Sequence, residues 1–160
     1  MKQVSWLIIL FFGMGVRHAV AMPGFDAGSP VLQSKGSLSF KYNGKLVLAD
    51  PSHARAYAVS TIKMGYLNGA NAENMILDVQ AKGLYQPGPL VVHSSERCIV
   101  TLDHVDYSIR TPEDFFHIQV TDVRQEGQML LMSGTFQGKL HDKKGNQVLI
   151  TEGQFKTLQL

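Results

Sequence analysis

Three runs near the C-terminal end alternate apolar and polar residues. Turns too short for anything but antiparallel pairing join them. Phe115–Arg124 places Phe116, Ile118 and Val120 on one side. After Gln125-Glu126-Gly127-Gln128, the run Met129–Leu140 gives Leu130, Met132, Phe136 and Leu140 a shared parity. The polar turn His141–Asn146 then leads into Gln147–Phe155. A period of two sends alternate side chains to opposite faces of a strand, and parallel neighbours would need a long crossover between the runs. The spacing predicts a three-stranded antiparallel meander. Gly134 and Gly138 lie in phase on its middle strand and mark a bulge, a sharp bend or the close approach of a neighbour.

The same reading extends upstream. Ser37–Tyr42 and Lys45–Ala49 flank Asn43-Gly44, the strongest short hairpin signal, because a type I′ turn needs positive φ at both central positions. In that register Phe40 faces Val47 and Leu38 faces Ala49. Leu46 and Leu48 point the other way, which predicts cover on both sides of this strand. Ala56–Leu67 reads as one or two strands broken at Gly65 and at Asn68-Gly69. Met75–Gln80, Leu90–Val92, Cys98–Leu102 and Val105–Ile109 read as further strands, the last two separated by a tight turn at Asp103-His104. Thr111–Asp114 reads as a short helical turn or a loop. No amphipathic helix of useful length is present. The expected fold is all-β: an antiparallel β-sandwich or flattened β-barrel of about nine to ten strands, ending in the meander.

The N-terminus has the three parts of a secretory signal. Lys2 is basic, Trp6–Phe12 is an unbroken apolar run extended to Val16, and Ala19-Val20-Ala21 fits the small-x-small cleavage pattern. Arg17 and His18 close the apolar run short of the ~20 residues a membrane span requires. Cleavage is expected after Ala21, giving a signal peptide over 1–21, a Gly/Pro/Ser-rich flexible leader over 22–35 and a single domain over 36–160. No cysteine stands directly after the cleavage position, so the expectation is an exported, periplasmic or extracellular soluble protein without a lipid anchor.

Removing the signal also removes the apparent basic character. Lys2 and Arg17 leave with it, and thirteen basic residues then balance thirteen acidic ones. A neutral domain has no field to steer it onto nucleic acid or an anionic membrane, and Lys143-Lys144 reads as a solvated turn. The one cysteine, Cys98, excludes an intrachain disulfide. It sits within a strand and reads as a buried, inert thiol.

Ser133–Leu140, Gly145 and Val148–Phe155 resemble the closing signature of an uncharacterised family of small exported β domains and lipoproteins found in Bacteroidota-type bacteria. Phe40–Lys45, Ile76–Val79 and Gly83-Leu84-Tyr85 resemble other parts of that family. The resemblance implies a bacterial envelope setting and the same β fold. It carries no catalytic or ligand residues over, and the missing anchor cysteine departs from the lipoprotein members.

Candidate sites are few. Asp103, His104 and Asp106 place two carboxylates and an imidazole within four positions, a donor set that suits a divalent metal. Asp and His are equally ordinary turn residues. Tyr85, in a Gly/Pro-rich loop, is the best-placed aromatic for stacking on a ligand. The histidines His53, His93, His104, His117 and His141 show no metal-binding spacing. A triad assembled from His93, Ser94 or Ser95 and Asp103 lacks a nucleophile elbow. Glu113 and Asp114 are adjacent and read as the start of a turn. No cofactor is expected. The expected function is a non-catalytic binding or envelope-associated module for a small apolar ligand, a glycan or a protein. The alternatives are a structural protein assembling through a sheet edge and, behind it, an unrecognised hydrolase.

Overall fold

The computed structural model describes residues 36–157. The signal peptide expected over 1–21, with Ala19 and Ala21, and the leader expected over 22–35 lie outside them. Eleven strands are present: β1 (Gly36–Tyr42), β2 (Lys45–Leu48), β3 (Arg55–Val59), β4 (Met64–Ala70), β5 (Met75–Lys82), β6 (Gly88–Val92), β7 (Arg97–Leu102), β8 (Val105–Ser108), β9 (Phe115–Glu126), β10 (Met129–His141) and β11 (Gln147–Thr157). All pair antiparallel in one sheet of order β2-β1-β11-β10-β3-β4-β5-β7-β8, with β6 on β9 and β9 on β10. The all-β expectation and its closing meander β9-β10-β11 hold. No helix among the described residues is long and apolar enough to cross a membrane.

β10 is the strand on which the sheet turns. Its first residues, Met129–Leu131, pair with β3, and Ser133–His141 pair with β11. At its far end His141 pairs with Ser108 of β8. That bridge returns the sheet to β10 and makes a partial ring of β10, β3, β4, β5, β7 and β8. Length makes this possible, since thirteen residues give β10 room for different neighbours along one edge.

The core follows from parity. Leu38 and Phe40, Leu77 and Val79, Phe116 and Ile118, and Val148 and Ile150 all bury their inward members. Phe136 is the hub, its ring centroid 5.8 Å from Phe40, 5.6 Å from Phe116 and 6.4 Å from Phe155. These spacings suit tilted or offset aromatic contact.

Two local expectations change, and one open reading resolves. The break in Ala56–Leu67 falls at residues 60–63, where Lys63 has φ 52°, and the segment becomes the β3–β4 hairpin. Gly65 and Gly69 lie inside β4 instead. A Cβ at Gly65 would run into the backbone of Leu84, so this glycine serves a close approach and not a turn. The added hairpin takes the strand number past nine to ten. Second, β2 is not covered on both sides. It is the end strand of the sheet, and Leu46 and Leu48 are 57% and 60% exposed. Third, Thr111–Asp114 is a turn in which the Asp114 carboxylate accepts from the N–H groups of Arg110 and Thr111.

Candidate functional site

Asp103 and His104 form the β7–β8 turn, with φ 49° and 66°. Both central positions are left-handed, as a type I′ turn demands, and Asp and His tolerate this region better than most residues. Asp103 accepts a hydrogen bond from the Tyr42 hydroxyl at 3.1 Å, and Asp106 accepts one from Thr101 Oγ1 at 2.8 Å. Among the described residues no group of three or more His, Cys, Asp or Glu is placed to hold a metal ion. The three candidates thus share one hairpin, with both carboxylates engaged in hydrogen bonds to hydroxyls.

Tyr85 packs partly buried against the core, beside the fully buried Leu84. Gly83, at φ 86°, turns the chain, and the Tyr85 N–H donates to its carbonyl at 2.8 Å. Cys98 is buried, and burial pushes its thiol up to about 12, which keeps it protonated and unreactive. Ser94 and Ser95 line a surface hollow with Arg97 and Ser108; neither His93 nor Asp103 lines it. Glu113 and Asp114 diverge. Glu113 reaches Lys139 at 3.0 Å, whereas Asp114, with no exposed side-chain surface, sits 2.6 Å from the His141 ring. Burial pushes the Asp114 carboxyl up. The Arg110 and Thr111 N–H groups and the His141 ring outweigh it and hold the carboxyl below its ordinary value. This pair secures the end of β10 where the partial ring closes.

A concavity of about 660 Å³ lies on the outer side of β6, β9, β10 and β11. Its origin is local. The β9–β10 ladder runs regularly to Met132↔Val123, breaks, and resumes only at Gln137↔His117. Over the break, Gly134 leaves room on the inner face for the Gln119 backbone, which a Cβ there would strike. With β9 drawn inward, the outer surface opens. Two rows of outward side chains then cross it. Val91, His117 and Gln137 stand in register in one row. Pro89 and Gln119 face Thr135 and Gln154 across the break in the other. His117 packs on Phe115 at 4.8 Å between ring centroids.

Glu152 stands at one end of this groove with φ 52°. The β1–β11 and β10–β11 registers both shift beside it, so it is the bulged residue of β11. Its carboxylate oxygens lie 2.8 and 2.7 Å from Lys41 Nζ. A non-glycine residue held left-handed costs roughly 1–2 kcal/mol. Amides give the groove both donors and acceptors, and Pro89, Leu90 and Val91 give it an apolar wall. Glu152 is the one carboxylate among the lining residues, and glycoside hydrolysis by the usual route needs two.

Sequence reasoning did not find this groove. The parity of Gln119, Gln137 and Gln154 marks them as outward, but outward glutamines are what any solvated strand carries. The pair Gly134 and Gly138, which marks a bulge, a sharp bend or a close approach, is the one signal pointing there. The chain matches no family model, no curated protein and no solved structure.

Proposed function

We propose that the protein is an exported, non-catalytic binding module that takes a glycan in the groove over β6, β9, β10 and β11. One observation carries this reading: three glutamine amides, a histidine and a threonine project from neighbouring strands beside an apolar wall in a concavity of about 660 Å³. A sugar ring has hydroxyls that both donate and accept, and an apolar face formed by its C–H groups. Side-chain amides match the first, and the Pro89–Val91 wall matches the second. The interior supports a small apolar ligand less well, because Phe40, Phe116, Phe136 and Phe155 fill it. Export rests on the signal pattern over 1–21 and on the resemblance to exported bacterial β domains.

The test is calorimetric titration of the protein with neutral cello-, xylo- and chito-oligosaccharides. Binding of at least one series is expected, and it should disappear in the Gln119→Ala, Gln137→Ala double variant. Silence for all three at millimolar concentration, or binding that survives the double substitution, overturns the reading.

A further inference from the structure

Among the described residues, β2 and β6 each pair with one neighbour only, and they treat their free edges differently. β6 carries Gly88 and Pro89; proline on an edge removes a donor and discourages pairing. β2, Lys45-Leu46-Val47-Leu48, has neither residue. Its ladder orientation is fixed. The Ala49 N–H donates to Leu38 O at 2.9 Å, so alternation makes Phe40–Val47 and Tyr42–Lys45 the hydrogen-bonded pairs. The N–H and C=O groups of Leu46 and Leu48 therefore point away from β1. Leu48 O accepts from Asn71 Nδ2 at 3.0 Å, which agrees with that direction. Among the described residues, no hydrogen bond reaches the N–H of either leucine.

A second concavity of about 370 Å³ runs beside this edge, between β2 and the Asn71–Met75 turn. Asp50, Glu73 and Asp103 line it against a single cation, Lys45, whose ammonium lies 5.6 Å from the Tyr42 ring centroid. His53 stands 4.0 Å from Asp50. Free backbone donors, exposed leucines and acidic side chains meet along this edge, where Leu46 and Leu48 line the hollow together with Asp50, Glu73 and Asp103. We infer that β2 accepts an extended segment of a partner protein as an added strand, with apolar residues alternating with Lys or Arg. Main-chain hydrogen bonds to the N–H groups of Leu46 and Leu48 and to Leu46 O would supply affinity, and alternate side chains would supply specificity. The apolar set lies beside Leu46 and Leu48, and the basic set faces Asp103 and Glu73. This inference stands apart from the glycan reading, since the groove over β9 and β10 shares no lining residue with it.

Fluorescence anisotropy with a labelled peptide of roughly seven residues alternating Val and Lys, against one alternating Val and Glu, tests it. The Val/Lys peptide should bind and slow amide exchange at Leu46 and Leu48, and the Val/Glu peptide should not bind. Leu46→Pro removes the outward donor while leaving both neighbouring ladder pairs intact, so it should abolish binding with little change in thermal midpoint. Should that variant fail to fold, the Glu73→Gln, Asp103→Asn double variant serves, with an expected loss of roughly fivefold in affinity. No binding at millimolar peptide, equal binding of both peptides, or full binding by Leu46→Pro or by the double variant overturns the inference. So does a concentration-dependent dimer that Leu46→Pro abolishes, because the occupant is then a second copy. Oligosaccharide binding by Leu46→Pro reports separately on the groove.

Discussion

On the inner face of β9, β10 and β11, the rings of Phe116, Phe136 and Phe155 close over glycines. On the outer face the same strands carry Gln119, Gln137 and Gln154 around an open groove. The two faces are one structure seen from two sides. A Cβ at Gly138 would lie 2.7 Å from the Phe116 ring, and one at Gly134 would strike the Gln119 backbone as well as lie 2.8 Å from Phe155. Missing side chains draw β9 in, and the ladder that is lost inside becomes the concavity outside. The comparison teaches a direction of dependence. Changes on the inner face reach the groove, whereas changes on the outer face leave the core alone.

Gly134→Ala should break the comparison most severely. The obstacle is backbone, which cannot rotate away, so the added methyl must push β9 off β10. Overpacking of this kind costs about 3 kcal/mol. Denaturant melts should show that loss, and the surviving folded protein should also lose the groove's ligand.

The His141–Asp114 pair at the end of β10 comes next. Asp114→Asn keeps the shape and removes the charge that three donors satisfy, at a cost of about 1–3 kcal/mol. The sign of the pH dependence follows from the direction of the shift. The folded carboxyl is held below its ordinary value of 3.8, so its contribution is fully present above that value and is lost as pH falls through the lower, folded one. Asp142 acts the same way, held down chiefly by the Asn146 side chain. Acid unfolding of the wild type should therefore steepen below pH 3.8, and Asp114→Asn should flatten that limb.

Glu152 separates backbone strain from charge on the outer face. Both Glu152→Ala and Glu152→Gly lose the contact with Lys41, but only glycine adopts φ 52° without strain. Glycine should exceed alanine in stability by about 1 kcal/mol. Equal melts for the two would mean that the bulge relaxes.

Much of this fold was legible because a period of two reports burial directly. Phe116, Ile118 and Val120 alternate, and they are buried. Asn43-Gly44 names its own turn. The fold was less legible where glycine had two meanings. Gly65 reads as a break, yet it admits the Leu84 backbone in the middle of a strand, and only tertiary contact distinguishes the two. The groove was nearly invisible for a related reason. It is made by what Gly134 lacks, and its lining is chemically the same as an ordinary wet strand. Asp103 and His104 misdirect in the opposite way: residues with ligand chemistry were serving the left-handed geometry of a turn.

The smallest expected effect is the most informative. Gln119→Ala and Gln137→Ala remove outward, exposed side chains. Each should leave stability within about 0.5 kcal/mol of wild type. Gln119 is the more exacting of the two, because its backbone is the part that Gly134 admits and its side chain also donates to Val120 O at 3.3 Å. If only the backbone matters to the fold, Gln119→Ala melts like wild type while Gly134→Ala does not, although both changes act at one contact. If Gln119→Ala instead loses as much as Gly134→Ala, the amide helps hold β9 in place. The outer face would then share in the packing, and the one-way dependence between the two faces would fail.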